Sequence, residues 1–182
     1  FVQRINSDLV GKVVNIASRC ARFINQYCDN QLASQLPDTK HFQQFVTAGS
    51  AIANDYERLE YSRVIRTVME LADSANQYID EKKPWNLIKN SEEMTQVHEI
   101  CTLGLNLFRL IFTYLKPILP QLTIKVEAFL QIPAITWDNR KEPLLNHRIE
   151  TFKPLLQRLD LKEVEKIREP FVEISKVKTM NE

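Results

Sequence analysis

Asn15 and Arg19 stand four residues apart in a strongly periodic stretch, so on a helix they share one face, a turn apart. An asparagine amide offers a donor and an acceptor, and an arginine guanidinium offers a planar fork of donors. Together they suit the Watson–Crick edge of an unpaired base. Cytosine presents two acceptors and one amino donor, so Arg19 would serve the acceptors while Asn15 accepts from the amino group. Uracil presents a donor where cytosine has an acceptor and would oppose Arg19. The plain alternative is a solvated helix face. Trp85, directly after Pro84 where a helical pattern breaks, is a second candidate. An indole there either stacks on a splayed base, a contact of roughly 1–3 kcal/mol, or tucks into the rim of the fold. Lys12 and Arg22, polar-face neighbours of Asn15 and Arg19, are candidate phosphate contacts.

Catalytic constellations are harder to find. His41, His98 and His147 are far apart in sequence. His98 and Cys101 fall at i, i+3, a spacing that can hold a metal, but zinc needs three or four ligands and no second pair is visible. A structural role is the simpler expectation for both. No glycine-rich phosphate loop, GxSxG or HExxH occurs. The carboxylates of Glu92 and Glu93 lie where a helix starts, and capping explains them. We therefore expect no complete active site and no metal or cofactor in this chain.

Charge is balanced, with 24 basic and 23 acidic residues and a net charge of +1, so any nucleic-acid site must be a local arrangement. Three cysteines, without a CxxC spacing, cannot all pair with one another and point to a reducing, cytoplasmic setting. No run of about 20 apolar residues is present, so no membrane span is expected. The chain opens Phe1-Val2-Gln3-Arg4 without an initiator Met, as expected of a segment from inside a longer chain.

The elements that would hold these residues read as helices. Only three glycines occur in 182 residues, against a usual ~7%, and sheet-rich or dinucleotide-binding folds need more. Apolar residues recur at helical spacing from about Ser7, read as an N-cap, to Cys28, then from about Asp38 to Glu57 and from Tyr61 to Asp80. Lys82-Lys83-Pro84-Trp85 breaks the third helix. Ser91 opens a fourth that ends before Pro117, and a fifth covers about Leu122 to Leu130. Pro133 to Leu145 is turn-rich with an isolated Trp137. The expected fold is all-α: an antiparallel bundle of four to five helices over residues 1–160, with 161–182 a helix packing back or leading into a linker.

Several ordered strings carry a family resemblance. They are Lys12-Val13-Val14-Asn15-Ile16-Ala17-Ser18-Arg19, Tyr78-Ile79-Asp80-Glu81-Lys82-Lys83-Pro84-Trp85, Leu105-Asn106-Leu107-Phe108-Arg109 and Tyr114-Leu115-Lys116-Pro117-Ile118-Leu119-Pro120. Thr136-Trp137-Asp138, Pro143-Leu144-Leu145 and Leu156-Gln157-Arg158-Leu159-Asp160 continue them. Together they resemble the α-helical anticodon-binding domain of bacterial methionyl-tRNA synthetases, from Phe1 to about Lys166. The resemblance implies the helical bundle of class I synthetases. It implies a parent enzyme that joins methionine to tRNA(Met) with ATP and magnesium, in a catalytic domain upstream that also carries a zinc knuckle. It places contacts to the CAU anticodon on Asn15, Arg19 and Trp85, with Pro84 setting the indole's pose, and a basic residue for tRNA binding and domain docking on Arg158. A further C-terminal tRNA-binding and dimerisation domain, found in many members, would follow the linker. Cys20 departs from the pattern, where a polar residue such as Asn is expected after Arg19. The rival readings are an anticodon domain of another class I synthetase, a helical protein-interaction module, and an independent enzyme.

Overall fold

A helix that is apolar on every side has to be surrounded. Met94–Leu115 is mostly apolar all round from Ile100 on, and every residue from 100 to 115 is buried in the computed structural model, which describes residues 2–158. Four segments precede it. The first, α1, is one continuous helix over residues 2–27, built from Val2–Arg4, a π-helical stretch Ile5–Val14 and a regular α-helical stretch Asn15–Tyr27. Then come α2 (Thr39–Glu57), α3 (Tyr61–Lys82) and the single turn α4 (Pro84–Leu87). The central helix is α5, entered through a 3₁₀ turn at Ser91–Glu93. It is followed by α6 (Pro120–Leu130) and a second 3₁₀ turn at Asp138–Lys141. The described residues form the expected all-α bundle. The expected segment 161–182 lies outside the described residues.

Side-chain pairs set the helix directions. His41 near the start of α2 meets Ser74 late in α3 at 3.0 Å, while Arg63 early in α3 reaches Asp55 late in α2 at 3.2 Å, so these two run antiparallel. Lys12 pairs with Asp73 and Arg19 with Asp80, so α1 and α3 run parallel, side by side. Between and beneath them α5 runs the other way. Its start lies by the end of α1, where Ala33 N donates to Thr102 Oγ1 at 2.9 Å.

The contact between α1 and α5 is close because Gly104 has no side chain. A Cβ there would sit 2.4 Å from Cys20 Sγ and 3.6 Å from Ile79 Cδ1. Cys20 is fully buried and fills the space that Gly104 leaves. The neighbouring Cys20 thiol, together with burial, pushes the Cys101 thiol well up.

Two sequence expectations need correcting. Ser7 does not cap a helix: α1 begins earlier, and the Ser7 hydroxyl donates to Arg4 O at 3.3 Å and Asp8 Oδ1 at 2.9 Å from within it. The stretch around it is wound as π-helix, and Gly11 leaves room for the wider turn, since a Cβ there would lie 3.2 Å from Asn6 O. Trp137 is not isolated. Its ring packs against Tyr56 and Tyr114, with centroids 6.5 and 5.3 Å away. Asp38, by contrast, caps α2 by accepting from His41 N at 2.9 Å.

After α6 the chain returns as an extended strap. Asn106 and Arg109, polar residues buried on α5, hold it. Asn106 Nδ2 donates to Leu144 O at 3.0 Å and its Oδ1 accepts from Leu144 N at 2.7 Å. Arg109 donates to Asn139 O at 3.0 Å and to Glu142 O, and burial lowers its guanidinium to about 10. Farther on, Ile149 N donates to Asn30 O and Phe152 N to Asn25 Oδ1, which lays the strap against the end of α1.

Candidate nucleic-acid interface

The parallel pair α1 and α3 exposes a ladder of charge. Lys12 Nζ lies 2.8 Å from Asp73 Oδ1, and seven residues on Arg19 Nη2 lies 2.5 Å from Asp80 Oδ1. Two helical turns separate the rungs on each helix, so both ion pairs fall on one outer face. Asn76 Nδ2 adds a cross-link to Lys12 O at 3.2 Å.

Just beyond Asp80 the chain turns sharply. Lys83 adopts the left-handed conformation, φ 49° and ψ 58°, between α3 and α4. That conformation costs a non-glycine residue about 1–2 kcal/mol. Pro84 then starts α4 with its φ already helical and is itself buried. The corner is held by Asn86 N donating to Lys83 O at 2.8 Å and Ile88 N to Pro84 O at 3.0 Å, while Leu87 and Ile88 pack on the core. This geometry leaves the Trp85 indole outermost, 36% exposed.

The indole meets Arg19. The guanidinium carbon lies 4.7 Å from the ring centroid, within cation–π range. Arg19 is thus fixed from two sides, by a ring below and a carboxylate beside it, and its side chain is only 23% exposed while that of Asp80 is 61% exposed. Asp80 takes a bond from one terminal nitrogen. A guanidinium has five N–H donors, so the fork keeps donors for an incoming acceptor. One face of Trp85 is covered by Arg19, and the residue as a whole keeps 36% of its surface exposed. Asn15 opens the regular α-helical stretch of α1, one turn before Arg19 on the same face and half-buried. Ser18 Oγ donates to its carbonyl at 3.0 Å.

The remaining candidates are more scattered. Lys12 is on the same face but engaged by Asp73. Arg22 is exposed three residues past Arg19, in a hollow of about 500 Å³ shared with Asn25, Asn30, Thr151 and Phe152 of the strap. Arg158 is exposed at the end of the described chain. Sequence reasoning missed Asp73 and Asp80. Their seven-residue spacing on α3, matching that of Lys12 and Arg19 on α1, was the available signal.

The histidines lie apart and are tied to different partners. His98 Nε2 donates to Gln31 O at 2.7 Å and His147 Nε2 to Leu130 O at 2.6 Å, while His41 meets Ser74. Among the described residues no group of three or more metal-ligating side chains is assembled. No described helix is long and apolar enough to cross a membrane.

Comparison with known proteins follows the same lines. The family described as the anticodon binding domain of methionyl tRNA ligase matches residues 35–163. The methionine–tRNA ligase of Vesicomyosocius okutanii subsp. Calyptogena okutanii (strain HA) is 49% identical over 169 residues, covering 93% of this chain and 31% of that protein. The chain therefore spans about a third of that relative's length. Among solved structures, the apo form of Mycobacterium tuberculosis methionyl-tRNA synthetase superposes with a TM-score of 0.75 at 14% identity, over 87% of this chain and 34% of that one. The same enzyme in complex with methionyl-adenylate gives 0.70 at 16% identity, over 86% and 33%. At such identities the structural likeness speaks for the fold alone.

Proposed function

Because this chain belongs to the family of methionyl-tRNA ligase anticodon-binding domains, we propose that its α1/α3–α4 face reads the CAU anticodon of tRNA(Met). The observation that carries this reading is the Arg19 guanidinium, held over Trp85 at 4.7 Å and against Asp80 at 2.5 Å. A fork fixed in this way meets the two acceptors of a cytosine edge with little loss of freedom on binding. Asn15 accepts from the cytosine amino group, and the exposed part of Trp85 stacks on a splayed base. Pro84 sets the pose of the indole. Arg22 and Arg158 contribute positive charge along the backbone, and Lys12 does so once it leaves Asp73.

Catalysis belongs to a separate domain of the parent enzyme, which supplies ATP, magnesium and zinc chemistry and attaches methionine to the tRNA. No residue described here takes part in that step. Association of two parents through a further C-terminal domain belongs to the same reading. The balanced charge of the chain favours selectivity over raw affinity. The test is binding to stem-loops that differ only in the anticodon. Preferential binding of CAU supports the reading, and equal binding across the panel rejects it.

A further inference from the structure

The charge ladder leaves a shortage. A stacked nucleotide on Trp85 brings its phosphate with it, and phosphate contacts position a strand. Lys12 is committed to Asp73 at 2.8 Å and Arg19 to Asp80. Lys82 leans away, its ammonium 5.8 Å from the Tyr78 ring, over a groove lined by His41 and Gln44 of α2. Lys83 is different. It is exposed, and among the described residues no ion pair or side-chain hydrogen bond engages it. It stands two residues before Trp85, at the left-handed corner that aims the indole.

We propose that Lys83 is the phosphate contact for the nucleotide stacked on Trp85, so that the corner supplies both the stacking ring and the neutralising charge. The inference rests on the anticodon reading above and adds a residue to it. The left-handed backbone alone does not distinguish Lys83, since Asp29, Asn30, Leu59, Gln131 and Asn146 also adopt positive φ. What singles Lys83 out is an exposed, unengaged ammonium carried two residues before the stacking ring.

The experiment is salt-dependent binding of the whole chain to a CAU anticodon stem-loop. Lys83→Gly is the informative variant, because glycine adopts the left-handed corner freely while removing the charge. Each phosphate contact on a single strand contributes about 0.7 to the slope of log K against log salt. Lys83→Gly should flatten the slope by about that amount, so the loss of affinity between about 50 and 200 mM salt shrinks roughly 2- to 3-fold. Lys83→Arg should restore the slope. Lys125→Ala, an exposed cation on α6, should leave it unchanged. The ratio of CAU to UAU binding should survive in Lys83→Gly. An unchanged slope in Lys83→Gly, or an equal flattening in Lys125→Ala, overturns the contact while leaving base readout standing. Equal binding of both loops by the unmodified chain, with the slope still flattened in Lys83→Gly, instead rejects base readout and leaves the phosphate contact.

Discussion

Arg19 stacks over Trp85 at 4.7 Å while Asp80 holds its outer nitrogen at 2.5 Å. Three residues from two parallel helices and the turn that follows one of them thus act as a single unit. The guanidinium is ordered before any ligand arrives. This coupling has consequences for each partner separately.

Trp85→Ala should lower affinity for a CAU stem-loop by about 1–3 kcal/mol, the scale of base–aromatic stacking. Trp85→Phe should retain much of the binding because the ring persists. A double-mutant cycle with Arg19→Ala should show a coupling of about 0.5–1 kcal/mol in folding stability, the worth of a partly exposed cation–π pair. Identical behaviour of Trp85→Phe and Trp85→Ala in the binding assay would remove stacking from the mechanism.

Asp80→Asn keeps an acceptor beside Arg19 but removes the negative charge. Binding of non-cognate loops should strengthen, because a carboxylate no longer repels the strand. The CAU preference should shrink by roughly 0.2–1 kcal/mol, the range for an exposed ion pair. Dissociation constants for CAU and UAU loops check this. An equal loss of both would assign Asp80 to folding alone.

Gly104→Ala should destabilise the fold by about 1–3 kcal/mol, because its Cβ would meet Cys20 Sγ at 2.4 Å, too close to keep. Cys20→Ala in the same chain should recover part of the loss. Denaturant midpoints of the single and double variants measure this. The strain also falls on α1 next to Arg19, so Gly104→Ala should weaken CAU preference more than its stability loss explains.

His41 should make stability depend on acidity. Burial lowers its pKa, and the nearby Asp38 and Glu81 oppose the shift without reversing it. Lys40 and Lys82 also line its groove, and Ser74 bonds its ring. A lowered folded value means the native state favours the neutral ring. Its contribution is therefore complete above about pH 6.5, the unfolded value, and is lost as pH falls from there toward the folded value. His41→Gln should flatten the decline of the denaturation midpoint between about pH 7 and 5.5. An unchanged decline would place the sensitivity in other groups.

Helical periodicity made α2, α3 and α5 legible almost residue for residue, since each has a broad apolar face and a proline or polar cap at an end. The start of α1 was not legible, because Ser7 followed by Asp8 reads as a cap while the helix already runs from Val2. Asn15, Arg19 and Trp85 stood out by residue type, and their strings carried the family resemblance. Asp80 did not, because an acid near a helix end reads as solvated until the parallel neighbour is known. Nor did the role of Asn106 and Arg109, whose partners are backbone carbonyls 38 and 30 residues away along the strap.

The most direct test is competition between CAU and UAU anticodon stem-loops for the whole chain, with and without Arg19→Ala. The unmodified chain should prefer CAU, and Arg19→Ala should reduce that preference by about 1–3 kcal/mol, the discrimination of a bidentate base contact. Equal losses for both loops, with the preference intact, would contradict base readout by Arg19 and leave it only a charge.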